Sequence, residues 1–98
     1  MLVKIHASYR NVIAICDSNL IGKTFEEGNK QIFINPSFYK GDEKTDQEVL
    51  EIIEEGTCED YTFNIVGQEA VKLALKCGLI KEDSITHIQD IPIALVLL

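Results

Sequence analysis

The sequence predicts an α+β fold, a mostly antiparallel sheet of about four to five strands with two helices packed on one face. Three observations lead to this prediction. Short apolar runs of strand length lie towards both ends of the chain, two segments with helical periodicity lie between them, and glycine or proline separates most of these segments. Strands grouped on either side of a helical block are typical of the α+β class.

The predicted strands follow from alternation and from β-branched content. Residues 2–7 partly alternate and residues 12–16 are continuously apolar, so these two segments are expected to form an antiparallel hairpin across a short polar break. A third strand is expected at residues 31–35, where Pro36 ends it, and two more at 84–89 and 93–97. The segment Phe38 to Gly41 is expected to be a turn.

The two helices carry terminal signals as well as periodicity. Thr45 and Glu48 have the spacing of a capping box, and Gly56 is expected to end this first helix. The second helix is expected over residues 67–77, with Gly78 and Leu79 forming its C-terminal stop.

Length and composition indicate one domain over residues 1–98. The three cysteines have neither an even count nor a CxxC spacing, which favours a reducing cytoplasm over a disulfide framework. No apolar run reaches the roughly 18 residues of a membrane span, and the first residues do not resemble a signal peptide. We therefore expect a cytoplasmic protein with no membrane association.

The formal charge of −7 is unevenly distributed along the chain. Residues 1–41 carry a balance of +2, whereas residues 42–98 carry −9. An acidic surface repels phosphate, so any contact with nucleic acid is expected to use the first part of the chain.

That first part also interleaves aromatic and basic side chains. Aromatic rings stack on unpaired bases and cationic side chains hold phosphates, so this pattern suits single-stranded RNA. The alternative is that the aromatic residues belong to the core and its rim. The candidate RNA-contact residues are Tyr9, Arg10, Lys23, Lys30, Tyr39 and Lys40.

A second candidate ligand site lies where the second helix begins. Asn64 and Gly67 precede this helix, whose N-terminus could hold an anion such as phosphate, and the alternative is a simple cap or turn. Gly22-Lys23-Thr24 resembles the end of a phosphate-binding loop, but Asp17 stands where that motif requires its first glycine. We find no spacing of cysteine and histidine that predicts a metal site, no catalytic constellation and no cofactor.

The acidic second part suggests a different role, in protein interaction. Nine carboxylates lie between Asp42 and Asp60, and they form either a solvated helix face or a docking surface for a basic protein. The apolar run over residues 93–98 could pair with a second copy of the chain and form a homodimer. An enzyme is the least supported class.

Several stretches resemble a small archaeal family, the domain of unknown function 424 family. They are Cys16-Asp17-Ser18-Asn19-Leu20-Ile21-Gly22-Lys23-Thr24-Phe25, Phe38-Tyr39, Phe63-Asn64-Ile65-Val66-Gly67-Gln68-Glu69-Ala70-Val71 and Gly78-Leu79-Ile80-Lys81-Glu82-Asp83. The resemblance implies a cytoplasmic archaeal protein that binds RNA or works with the ribosome in translation. Members often carry a Val-Pro-His-Ala-Gln-like stretch near the end, where this chain has the apolar Ile91-Pro92-Ile93-Ala94-Leu95.

Overall fold

The computed structural model describes residues 1–7 and 11–97, and it places eight strands and three helices in them. The strands are Leu2–Ala7 (β1), Asn11–Cys16 (β2), Thr24–Glu27 (β3), Lys30–Phe33 (β4), Asp42–Glu43 (β5), Thr62–Val66 (β6), Thr86–Ile88 (β7) and Ile91–Val96 (β8). The helices are Pro36–Tyr39 (α1), Asp46–Cys58 (α2) and Gln68–Lys76 (α3), with 3₁₀ turns at Ser18–Leu20 and Glu82–Ser84.

Six of the strands form one mixed sheet in the order β5-β1-β2-β6-β8-β7. All of its pairs are antiparallel except β2 with β6. The prediction of a mostly antiparallel α+β sheet is therefore confirmed, with six strands instead of four or five. The predicted hairpin of β1 and β2 is also present, with Leu2 opposite Cys16.

The sheet carries an apolar layer on each face, because consecutive residues of a strand point to opposite sides. Ile13, Ile15 and Ile65 pack with α2 and α3 in the larger cluster. Ala14 and Val66 pack in the second cluster, under the first 3₁₀ turn, the β3–β4 hairpin and α1. We call these two sides the α2–α3 face and the α1 face. The two long helices share one face as predicted, whereas α1 lies on the other.

The central strand β6 is absent from the sequence-based prediction, which treated residues 63–67 as the cap of the second helix. Phe63, Ile65 and Val66 are fully buried, and β6 lies between β2 and β8. A five-residue segment with Asn64 in its middle, followed almost at once by a helix, has too little periodicity to reveal a strand. Its pairing with β2 across a long crossover is what makes the sheet mixed.

The segment after residue 30 also differs from the prediction. The strand expected at 31–35 exists as β4, but it pairs with β3 in a separate two-stranded hairpin. The turn expected after Pro36 is the short helix α1, in which Asn35 Oδ1 accepts a hydrogen bond from Ser37 N at 2.9 Å. An asparagine cap followed by proline at the first helical position is a recognised helix start.

The observed ends of the long helices agree only in part with the predicted capping signals. The capping box at Thr45 and Glu48 is confirmed, with both reciprocal hydrogen bonds formed. Gly56 was wrongly expected to stop α2; it is buried inside the helix, where an added Cβ would lie 2.7 Å from Ile13 Cδ1. Close packing, and not helix termination, requires glycine there.

The end of α3 follows the expected pattern. Gly78 has a φ of +83°, and the N–H of Leu79 donates to the carbonyl of Ala74 at 3.0 Å. This is a Schellman ending. Beyond it, the strand expected at 84–89 is reduced to β7, since the second 3₁₀ turn takes up the residues before it.

Candidate RNA-binding surface

Two aromatic rings stack on each other on the α1 face. The rings of His6 and Phe38 have centroids 4.5 Å apart and an interplanar angle of 16°. His6 Nε2 also lies 2.8 Å from the carbonyl oxygen of Phe38, which fixes the orientation of the imidazole. Both residues are half-buried, so part of this stack faces solvent.

Two lysines belong to the elements that carry this stack, Lys4 to β1 and Lys40 to the residue directly after α1. Lys4 is two residues before His6 on β1, so its side chain lies on the same face. Its Nζ donates to the carbonyl oxygen of Ser37 at 2.8 Å. Lys40 follows α1 directly and is exposed. Cations near the last carbonyls of a helix are favourably placed.

Tyr39, a predicted stacking residue, is buried. Its side chain is only 7% exposed and packs in the second apolar cluster, so its ring cannot receive a base. Burial, with a smaller effect of the neighbouring Cys16, raises the pKa of Tyr39 to about 12. Consecutive helical residues point about 100° apart. Tyr39 therefore turns into the core while Phe38 lies at the surface.

The remaining candidates are not gathered into one patch. Lys23 and Lys30 are exposed at opposite ends of the β3–β4 hairpin, about 13 Å apart along the strands. Lys30 lies opposite Glu27, which offsets its charge. Tyr9 and Arg10 lie outside the described residues.

The candidate anion site at the start of α3 is occupied by a side chain of the protein itself. Asp17 Oδ1 accepts from Ala70 N at 2.8 Å, and Oδ2 accepts from Glu69 N at 3.0 Å. Gly67 allows this approach, because a Cβ there would lie 2.3 Å from Asp17 Cγ. Asn64 lies in mid-strand β6 opposite Leu95, away from this helix end. Asn64 and Gly67 thus do not form an open pocket for phosphate.

The role of Asp17 as the cap of α3 was not predicted from the sequence, and neither His6 nor Phe38 was among the predicted RNA-contact residues. The polar run Asp17-Ser18-Asn19 suggests a local cap for the short turn that follows, but the Asp17 side chain makes no capping bond there. A local signal for the stack was the position of Phe38 two residues before Lys40 in the sequence. Nothing local indicates that β1 delivers His6 to the same place.

The thiol of Cys16 is buried and stays protonated at neutral pH. Burial raises the pKa of Cys16 to about 12, helped by the negative charge of Asp17. Cys58 and Cys77 are exposed. Across residues 1–7 and 11–97 we find no cluster of three or more histidine, cysteine, aspartate or glutamate side chains that could hold a metal ion.

The opposite face of the molecule is acidic. Helix α2 and the two residues after it hold seven carboxylates and no lysine or arginine. The Glu48 carboxylate accepts from the backbone and hydroxyl of Thr45, which lowers its pKa. In the part of the chain that the structure describes, no helix has the length and apolar character to cross a membrane.

Comparisons with known proteins agree with this architecture. A crystal structure of an uncharacterized conserved protein from Methanopyrus kandleri superposes with a TM-score of 0.84 and 25% sequence identity, covering 98% of this chain and 90% of that chain. A search of curated proteins found no match. The family profile described as protein of unknown function (DUF424) matches residues 6–98. The chain therefore belongs to the DUF424 family, as the resemblance of its sequence stretches indicated.

Proposed function

We propose that this protein is a small module that binds single-stranded RNA, with the translation apparatus as the source of that RNA. The observation that carries the proposal is the His6–Phe38 stack, with Lys4 bound to α1 and Lys40 exposed directly after it. A partly exposed ring continues its stacking onto an unpaired base, and flanking cations contact the phosphates on either side.

The distribution of charge also favours the α1 face as the side that contacts RNA. Lys4 and Lys40 lie on the α1 side, and Lys23 and Lys30 lie at the ends of the β3–β4 hairpin, which also carries Glu26 and Glu27, whereas α2 and the two residues after it hold seven carboxylates and no lysine or arginine. RNA would be attracted to the α1 face and repelled by α2. The association with translation rests on the family resemblance alone.

Binding of a fluorescein-labelled twelve-nucleotide oligouridine, followed by anisotropy, tests the proposal. We expect Lys4→Gln/Lys40→Gln to weaken binding about tenfold and to reduce the salt slope by about 1.4, since each phosphate contact on a single strand contributes about 0.7. The matched control is Lys72→Gln/Lys76→Gln, which removes two lysines from α3 on the other face.

The stacking contribution needs its own variant. Phe38→Leu keeps an apolar side chain against the second cluster but removes the ring, and we expect affinity to fall about fivefold or more because base stacking contributes about 1–3 kcal/mol. Equal losses in the α3 control, or no binding by the wild-type protein, would reject the proposal. Cosedimentation of the native protein with ribosomal particles, abolished by RNase, would support the link to translation.

A second candidate function is homodimerisation through β8. β7 pairs with Ile91 to Ile93 but extends no further, so in the described residues the outer edge of β8 beyond Ile93 has no strand partner. Leu95 and Leu97 are 55% and 68% exposed beside this edge. A strand paired antiparallel with its own copy satisfies both edges around a two-fold axis.

Light scattering at millimolar concentration tests this second candidate. We expect a dimer that Leu95→Lys converts to a monomer, because an edge lysine opposes strand pairing. Phe33→Lys is the control, since Phe33 is 50% exposed on the separate β3–β4 hairpin. A strict monomer, or dissociation by both variants alike, would contradict dimerisation through β8.

A further inference from the structure

A small cavity opens on the α2–α3 face, between β1 and the end of α2. Its volume is about 100 Å³. The lining combines apolar residues with two carboxylates: Ile5, Ile13, Ile52, Glu55, Gly56, Glu59 and Tyr61. This cavity lies on the opposite side of the sheet from the His6–Phe38 stack, because Ile5 and His6 are consecutive in β1.

The floor of the cavity is apolar and incompletely covered. Ile5 points to the same face as Val3, yet it is 52% exposed whereas Val3 is 5% exposed. Helix α2 therefore covers one end of β1 and leaves the other open. Gly56 is part of the lining and packs directly on Ile13, since an added Cβ would lie 2.7 Å from Ile13 Cδ1.

The rim of the cavity is negatively charged. Glu55 and Glu59 are four residues apart and both exposed, one helical turn from each other. In the structure as described, neither carboxylate forms an ion pair with a lysine or arginine. The cavity thus combines an apolar floor with two carboxylates at its mouth that have no cationic partner among residues 1–7 and 11–97.

We infer that this cavity receives a lysine or arginine side chain from a basic segment of a partner protein. Such a side chain has an apolar stem and a cationic head, so its stem would cover Ile5 and Ile52 while its head reaches Glu55 and Glu59. The ring of Tyr61 offers a further contact to the cation. A phosphate-bearing ligand is repelled here, which makes this a protein site separate from the proposed RNA surface.

The test uses the full chain and an acetylated peptide of alternating arginine and glycine. Amide chemical-shift changes on titration are expected at Ile5, Ile52 and Tyr61. A second peptide carries citrulline, the neutral analogue of arginine, at each arginine position. We expect it to bind at least about tenfold more weakly, because the carboxylates then face no charge.

Two double variants distinguish binding in the cavity from nonspecific electrostatic attraction to α2. Glu55→Gln/Glu59→Gln is expected to weaken peptide binding about tenfold. Glu51→Gln/Glu54→Gln removes two charges from the same helix outside the cavity, and it is expected to weaken peptide binding less than about threefold. Ile5→Ser is expected to weaken binding without any change of charge. RNA binding is expected to be unchanged in all three variants, so failure of this inference is distinguishable from failure of the RNA proposal.

Three results would overturn the inference. One is equal weakening in the two double variants, which would indicate nonspecific attraction to α2. Another is a set of chemical-shift changes confined to residues outside the cavity. The third is no measurable binding of the arginine peptide by the wild-type protein.

Discussion

At the scale of single residues, Asp17 joins two parts of the molecule that are distant in sequence. It follows β2, and its backbone N–H donates to Val66 O at 3.1 Å, while its carboxylate binds the start of α3. The negative charge also lies at the positive end of the helix dipole. The conformation of Gly67, with a φ of +113°, brings the two segments this close.

We expect Asp17→Ala to lower the free energy of unfolding by about 2 kcal/mol, because it removes the cap of α3 and leaves two N–H groups without their acceptor. Urea denaturation measures the change. Ser18→Ala serves as the control, since Ser18 makes only an exposed hydrogen bond to Glu43. A loss no greater than that of Ser18→Ala would show that water replaces the carboxylate at no cost.

At the scale of secondary-structure elements, local signals and tertiary contacts contribute differently to each helix. Helix α2 begins with a capping box that lies within four consecutive residues. Helix α3 has no side-chain cap of its own and takes one from Asp17. Helix α1 is a single turn and depends on Asn35, on Pro36 and on packing against β1 and β2.

Replacing Thr45 with alanine is expected to reduce the free energy of unfolding by about 1 kcal/mol, because the N-terminal N–H groups of α2 lose the hydroxyl acceptor. Thr45→Ser keeps the hydroxyl and is expected to retain most of the stability. Thermal or urea unfolding of the two variants provides the measurement. Equal destabilisation by both would assign the effect to the threonine methyl group instead.

At the scale of the whole molecule, one sheet separates two layers of different character. The α2–α3 side holds the larger cluster and the acidic helix, and the α1 side holds the smaller cluster with Cys16 and Tyr39 inside it. Both of these side chains have a pKa raised to about 12 by burial. The free energy of unfolding therefore depends on pH through these two buried groups on the α1 face.

Stability decreases at alkaline pH because the unfolded chain releases these two protons at a lower pH than the folded chain. The unfolded chain loses the Cys16 proton near pH 9.0 and the Tyr39 proton near pH 10.0, whereas the folded chain retains both until about pH 12. We expect full stability below pH 9 and a decline, as pH rises towards 12, of up to about 1.4 kcal/mol per pH unit for each group. Urea midpoints at a series of alkaline pH values measure this.

The control for that series is Cys16→Ala, which is expected to reduce the slope of unfolding free energy against pH between pH 9 and pH 10.

At pH 8 a thiol reagent is expected to modify Cys58 and Cys77 in the folded protein and Cys16 only after denaturation. Rapid modification of all three thiols under native conditions would show that Cys16 is accessible.

Much of the fold could be predicted because its signals are local. The β1–β2 hairpin is visible as two apolar runs around a polar break, the start of α2 as Thr45 with Glu48, and the end of α3 as Gly78 with Leu79. β6 escaped prediction because its five residues carry little periodicity. Tyr39 was expected to be exposed but is buried, since its adjacency to Lys40 does not reveal which ring of a short helix turns inward.

The sequence by itself determined the α+β class, the family, the start of α2 and both ends of α3 to within about one residue, and the division into a weakly basic first part and an acidic second part. Those properties depend on composition and on interactions within a few residues. Only the tertiary structure decided that Asp17 caps α3, that His6 stacks on Phe38, and that Ile5 and Gly56 line a common cavity. Each of these contacts joins residues more than 30 positions apart, and their proximity is set by strand pairing and packing, which no local pattern records.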